Sequence, residues 1–274
     1  MAVAPASKAD ADPARLGHLN LIEASREATR WGVGGALAES DGIVLFATGS
    51  ALPVSCNGAF RADDAASPTE LITRADAFFG ARRRGYAVMV RDLPVDDDLR
   101  HACRQAGLST FGAPAPEMIC SAPVPLSVPP GVALRPLTTV DDVAAFAAVT
   151  GAAYATYGMP VETAADYLSL PQRLLDAPNV LGLLAHDGTE ALAGALAVLS
   201  HGVGGLYWVG TVEKARRSGL GRAVTAAVTN AAFARGAAVV GLQASAMGEP
   251  LYRSLGYETV YHYEDFVRLR APRP

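Results

Sequence analysis

Four prolines stand within nine residues near the middle of this 274-residue chain: Pro123, Pro125, Pro129 and Pro130 in PVPLSVPPG, residues 123–131. Proline fixes φ and has no N–H to donate, so this stretch can be neither helix interior nor central strand. It reads as a semi-rigid extended connector and sets the domain plan. That plan is a flexible tail over residues 1–14, an N-terminal α/β domain over 15–122, the linker 123–131, and a second α/β domain over 132–270. Each domain is long enough to bury its own core. The tail, MAVAPASKADADPA, lacks the apolar stretch of a signal peptide.

Composition narrows the classes of partner. Half the residues are apolar and 18% are charged, which is ordinary globular usage and argues against disorder. A formal net charge of −4 gives no general attraction to nucleic acid or to an anionic membrane. No apolar run approaches the ~18 residues of a membrane span. Arg82, Arg83 and Arg84 read as a solvated helix end, because no wider basic face accompanies them. Cys56, Cys103 and Cys120 have no metal-ligand spacing, and an odd count argues against a disulfide framework, so a reducing cytoplasm is the expected compartment.

In the N-terminal domain, Asp41-Gly42 before residues 43–47 signals a turn into a strand. Ser67-Pro68-Thr69-Glu70 joins a capping box to proline at the first helical position. The helix it opens carries Leu71, Ile72, Ala75, Phe78 and Phe79 at helical spacing and ends in the arginines and Gly85. Residues 86–90 read as a strand, Asp96 to Asp98 open a helix that ends at Gly107, and 118–120 suit a last strand. In the C-terminal domain the pattern predicts a strand at 132–137, a helix from Thr139 to near Gly158, and a second helix over 161–175. Strands follow at 180–185, 191–199 and 205–211, then a helix over 221–235, a strand at 239–244, a short helix at 249–255, and a strand or hairpin over 257–269. The order β-α-α-β-β-β-α-β-α-β implies an α/β fold around one mixed sheet.

The most informative stretch is LYWVGTVEKARRSGLGR, residues 206–222: a strand, a basic loop, two glycines and a strong helix. The first turn of that helix offers unpaired N–H groups and the positive end of the helix dipole. Glycine lets an anion approach the backbone, and arginine adds a planar donor fork. Together they suit a phosphate or pyrophosphate. The Gly-Lys-Ser/Thr of a P-loop is absent, and so are the glycines directly after the strand and the later carboxylate of a dinucleotide fingerprint.

Arg216-Arg217-Ser218-Gly219-Leu220-Gly221, an R-x-x-G-x-G sequence, resembles the acyl-CoA pyrophosphate loop of GNAT-type N-acyltransferases. Leu251-Tyr252-Arg253-Ser254-Leu255-Gly256-Tyr257 resembles the Leu-Tyr-x-x-x-Gly-aromatic segment that follows in that superfamily. The resemblance spans residues 132–269. It implies the mixed-sheet GNAT fold, acetyl-CoA or another acyl-CoA as co-substrate, no metal, and direct transfer in a ternary complex. The acceptor would be a primary amine of a small molecule or protein. Val209, Gly210 and Thr211 would bind the pantetheine arm through their backbone. Arg216, Arg217, Ser218, Gly219, Leu220, Gly221 and Arg222 would wrap the pyrophosphate, and Tyr252 would protonate the departing CoA thiolate. Ser245 stands where an asparagine is frequent and keeps one hydrogen-bond donor; Glu213 replaces a common proline.

Many relatives carry a basic Glu on the strand before the loop, but residues 206–211 contain no carboxylate. Glu162, Glu249, His262, Glu264 and Asp265 remain, and spacing singles out none of them. Tyr154, Tyr157 and Met159 lie where the superfamily borders its acceptor pocket, as an aromatic wall or as core closure. The N-terminal domain echoes the second half of a GNAT domain. Asp63 and Asp64 stand before its helix, however, and would repel a pyrophosphate. The expectation is a tandem protein whose first domain is a degenerate GNAT-like unit that binds no CoA. The alternative activity is a CoA-sensing module that retains the ligand loop but not turnover. Oligomeric state and acyl-chain preference stay open.

Overall fold

The structure, a computed structural model, describes residues 12–269. The expected tail therefore falls outside the described residues up to position 11. Asp12 already caps a helix, α1 (Pro13–Trp31), by accepting from the N–H of Ala14, with Pro13 at the first helical position. Three antiparallel strands follow: β1 (Ala36–Ser40), β2 (Ile43–Ala47) and β3 (Asn57–Arg61). Ser67 accepts from the N–H of Glu70 to open α2 (Pro68–Arg82), which returns the chain to β4 (Tyr86–Arg91), parallel to β3. Helix α3 (Asp97–Gln105) leads into β5 (Ser109–Cys120).

Beyond the proline-rich connector come β6 (Ala133–Pro136) and α4 (Val140–Ala155). Thr139 and Asp142 close the full reciprocal box at the start of α4. The helix predicted over 161–175 is two single turns, α5 (Thr163–Tyr167) and α6 (Pro171–Leu175). Pro171 cannot donate into the preceding turn, so it starts a new helix. A second antiparallel trio, β7 (Val180–His186), β8 (Ala191–Ser200) and β9 (Val203–Thr211), is followed by α7 (Leu220–Ala234) and the parallel strand β10 (Val239–Gln243). Helix α8 (Glu249–Ser254) and one unbroken strand, β11 (Glu258–Arg268), complete the chain.

The run β1-β2-β3-α2-β4-α3-β5 repeats β7-β8-β9-α7-β10-α8-β11. Both runs lie in one 11-stranded sheet of order β1-β2-β3-β4-β11-β5-β10-β9-β8-β7-β6. The closing strands are exchanged. β11 pairs antiparallel with β4, from Tyr263↔Arg91 to Arg268↔Tyr86. β5 pairs antiparallel with β10, from Val240↔Cys120 to Gln243↔Glu117. The two exchanged strands also pair with each other antiparallel, with breaks in register between Thr259 and Tyr261 and between Tyr263 and Asp265, so the halves are joined by backbone pairing along the seam.

On one face of the sheet, α7 covers β7, β8 and β9 and buries Val224, Val228 and Leu242, while α2 buries Leu71 and Phe79 against Val88. On the other face, α4 to α6 lie over β8, and α1 lies across the seam. The buried side of α1 is partly polar. His18 bonds the Tyr263 hydroxyl at 2.8 Å and the Arg61 carbonyl at 2.9 Å. The Asn20 amide donates to the Val198 carbonyl and the Ser200 hydroxyl, each at 2.9 Å. Gly205 leaves the space that Asn20 occupies, since a Cβ there would collide with Asn20 Oδ1. The connector packs along α7, where the Asn230 side chain and the Val124 backbone exchange two hydrogen bonds of 2.8 and 2.9 Å.

Candidate functional site

β9 and β10 pair only from Val203 to Gly205 against Val239 to Gly241. Beyond Gly205 they part, so the β10-facing edge of β9 keeps its backbone groups unpaired. A bulge marks the divergence. Trp208 and Val209 stand opposite the single residue Ala195 of β8, and Trp208 takes a left-handed φ of 54°. A bulge removes one residue from the ladder and redirects its backbone and side chain. A cavity of about 310 Å³ fills the wedge. Tyr207, Trp208 and Val209 form one wall, Ala115, Tyr263 and Asp265 from the exchanged strands form the opposite one, and Leu21, Ala24 and Ser25 of α1 close it.

Past Thr211 the chain makes a short 3₁₀ turn (Glu213–Ala215) and two left-handed residues, Arg217 (φ 63°) and Gly219 (φ 87°), before α7 begins. The Ser218 hydroxyl donates to the Ala215 carbonyl at 2.6 Å and holds the turn. Among the described residues, the N–H groups of Arg217, Ser218 and Gly219 and of the first helical turn, Leu220 to Arg222, meet no protein acceptor. They form a row of donors at the positive end of α7. Gly221 abuts the end of β9 and α8: a Cβ there would lie 3.2 Å from Thr211 Oγ1 and 3.7 Å from Leu251 Cδ2.

The three arginines of the loop differ in role. Arg216 turns back and donates to the Ala153 carbonyl at 3.2 Å and the Thr156 hydroxyl at 2.9 Å, tying the loop to the end of α4. Arg222 donates to the Ser254 hydroxyl of α8 at 2.8 Å. Arg217 is exposed and meets no protein partner among the described residues.

Tyr252 projects from α8 into the cavity that also touches Val209 and Ser245. It is 8% exposed, and burial pushes its phenol up, so it is protonated at neutral pH. Gly248 gives the ring room, since a Cβ there would lie 2.8 Å from it. Ser245 sits at the rim: its hydroxyl accepts from the Gly248 N–H at 3.1 Å and lies 3.3 Å from the Tyr157 hydroxyl. Val209, Ser245 and Tyr252 thus line the cavity, while Gly210, Thr211 and the residues from Arg216 to Arg222 form the strand end and donor row beside it. Tyr154 and Met159 are in the cavity wall, with the Tyr154 ring 5.4 Å from Trp208; Tyr157 is half exposed at the mouth.

The structure also sorts the carboxylates that spacing left equal. Glu264 pairs with Arg100 at 2.8 Å, Glu249 with Arg253 at 2.7 Å, and His262 with Asp92 at 3.0 Å; Glu162 is exposed. Only Asp265 of these faces the cavity, and burial holds its carboxyl up to about 6. A signal existed for it: Tyr261, Tyr263 and Asp265 alternate on β11, the period that sets one face of a strand. Glu117 of β5 gave no such signal. It is 1% exposed, burial pushes it up to about 8, and it accepts from the Gln243 amide beside the cavity. Among the described residues no His/Cys/Asp/Glu group could hold a metal, and all three cysteines are buried and unpaired.

Solved structures share this architecture over nearly the whole chain. A GCN5-related N-acetyltransferase from Kribbella flavida is 19% identical, covers 94% of this chain and 96% of its own, and superposes with a TM-score of 0.68. A GCN5-related N-acetyltransferase from Sphaerobacter thermophilus is 19% identical over 96% and 95%, with a TM-score of 0.61. A tandem GNAT protein from the clavulanic acid biosynthesis pathway is 14% identical over 96% and 97%, with a TM-score of 0.58. No curated protein matches the chain. The fold is therefore that of the GNAT N-acetyltransferases, in tandem arrangement. Within it, residues 180–266, from β7 into β11, match the FR47-like protein family.

Proposed function

We propose that the chain is an acyl-CoA-dependent N-acyltransferase acting on a primary amine. The observation that carries this reading is convergence: the donor row of α7, the free edge of β9, the bulge at Trp208 and the phenol of Tyr252 all border one opening between β9 and β10. A pyrophosphate suits the unpaired N–H groups from Arg217 to Arg222, with the charge of Arg217 beside them. The pantetheine amides can extend the sheet along Val209 to Thr211, as an added strand would. The thioester then lies at the bulge, where a backbone donor outside the ladder can stabilise the oxyanion.

The amine nitrogen attacks the thioester carbon and a tetrahedral intermediate forms. The C–S bond breaks, the nitrogen gives its extra proton to water, and the thiolate takes one from the Tyr252 hydroxyl. Bulk water restores the phenol proton. The N-terminal half supplies α1, Ala115 and the far wall of the cavity rather than a second CoA site. The acyl donor and the three unpaired cysteines are both in keeping with a cytoplasmic protein.

Calorimetric titration with acetyl-CoA, followed by free-thiol release across a panel of amines, tests the reading. One acetyl-CoA per chain and amine-dependent thiol release are expected. Absence of acetyl-CoA binding would refute it, and tight binding without release from any amine would favour the sensing module instead.

A further inference from the structure

The cavity has a one-sided charge inventory. Tyrosine, tryptophan and aliphatic side chains make most of its surface, and among the described residues no Lys, Arg or His side chain lines it. Asp265 is its single carboxylate among the described residues. It stands on β11 between Met89 of β4 and Phe111 of β5, and among the described residues it meets neither a cation nor a hydrogen-bond donor. Its neighbours along the same strand differ: Glu264 is held by Arg100, and Tyr263 by His18. A half-buried carboxylate set in a largely apolar wall without a cation is unfavourable, and a partner from outside can offset the cost.

We propose that this partner is the ammonium of the acceptor, so that the substrate is a primary monoamine on a compact, uncharged apolar body and Asp265 selects it. This rests on the acyl-transfer reading for the reaction, not for the binding. At about 310 Å³ the cavity is at the small end of ligand pockets, which limits the body to a single ring or a short alkyl chain. An α-amino acid would bring a carboxylate with no cation to meet it, and a diamine a second ammonium with no second anion. The aromatic cluster of Tyr154, Tyr167 and Trp208, with ring centroids 4.7 to 5.4 Å apart around Trp208, suits the apolar body. Before attack the nitrogen must lose its proton, and the carboxylate that holds it can receive it.

Calorimetry on the full chain saturated with CoA, which cannot react, isolates this step. Benzylamine and hexylamine are expected to bind, and phenylglycine, benzyl alcohol and 1,6-diaminohexane to bind at least tenfold more weakly. Asp265→Asn should lower benzylamine affinity at least tenfold while melting no lower than the parent, since it removes an unpaired, half-buried charge. Should that variant not fold, the benzylamine and benzyl alcohol comparison on the parent protein decides. Equal affinity for amine and alcohol, phenylglycine binding as tightly as benzylamine, an unaffected folded Asn variant, or no monoamine binding would each overturn the proposal. Asp265-dependent amine binding without any thiol release from acetyl-CoA would uphold it and remove the acyl-transfer reading alone.

Discussion

In the C-terminal half, β9 ends at Thr211 and reaches α7 through a loop whose N–H groups from Arg217 to Gly219 meet no protein acceptor among the described residues. In the N-terminal half, β3 ends at Arg61 and reaches α2 through residues 62–67, and the same position is filled from within. Arg61 and Arg91, both 2% exposed, grip Asp96, itself 1% exposed, at 2.7 Å each. Asp64 of that loop is held by Arg91 at 2.8 Å and Arg15 at 3.0 Å, and Asp63 accepts from the Ala65 N–H. At the place of Tyr252, four residues before the glycine that follows the short helix, the N-terminal half has Cys103, fully buried with its thiol pushed up to about 12. One half satisfies its helix approach with its own charges, and the other leaves donors facing solvent. A repeated backbone thus carries either a self-sealed end or an open row of donors, depending on the side chains at its strand ends and connecting loops.

The comparison breaks most visibly at Asp96. Removing it takes the shared buried partner from two guanidinium groups and leaves them only the more exposed Asp64 and Asp98, so Asp96→Ala should cost about 3 kcal/mol in denaturant unfolding. Burial alone would raise this carboxyl, but Arg91 and Arg61 outweigh it and hold it down to about 2 against the ordinary 3.8. A depressed carboxylate stabilises the fold above its unfolded value. The contribution should be fully present above about pH 4 and be lost as pH falls toward 2, and a thermal scan against pH would show Asp96→Ala flattening that decline.

A paired charge insertion sharpens the contrast. Ser218→Glu places a carboxylate in the donor row and should weaken acetyl-CoA about 100-fold, about 2.7 kcal/mol. Ala65→Glu, at the corresponding loop of the other half, should leave affinity and stoichiometry unchanged in the same titration. A loss of affinity at Ala65 would mean that the N-terminal loop also holds CoA.

Tyr252→Phe should lower kcat by roughly 10²-fold with acetyl-CoA affinity and folding intact, the pattern of an interaction made in the transition state. The low end of acid catalysis is expected because a thiolate is already a stable leaving group. An undiminished kcat would leave Tyr252 with a packing role only. The smallest effect belongs to Arg217→Ala, about fivefold in acetyl-CoA affinity, since the backbone donors remain and one exposed guanidinium contributes little. Raising salt should shrink even that difference.

The elements that local chemistry determines were legible in the sequence. Ser67 before Pro68, and Thr139 with Asp142, mark helix starts that the structure places at the same residues. The donor loop and the segment from Leu251 to Tyr257 were readable because glycine, arginine and tyrosine spacing is itself the chemistry. Helix α1 was not readable. Its buried face carries His18 and Asn20, whose burial is explained by Tyr263, Arg61 and Val198 rather than by an apolar stripe. The exchange of β5 and β11 was invisible for a different reason: alternation reveals which face of a strand is buried, not which strand lies beside it. Alternation with Tyr261 and Tyr263 set Asp265 apart from Glu264 on β11, but that its face borders a cavity followed only from the neighbouring strands.

The exchanged strands also order events in time. β4 meets its antiparallel neighbour only when residues 263–268 exist, so a nascent chain emerging from the ribosome holds an open sheet edge at β4 throughout synthesis of the C-terminal half. Closing that edge joins segments about 180 residues apart, a long loop whose entropy must be spent before any pairing rewards it. The seam should therefore be the last part of the molecule to form and the slowest. Since the cavity walls meet at that seam, amine-binding capacity should appear only in the final kinetic phase of refolding.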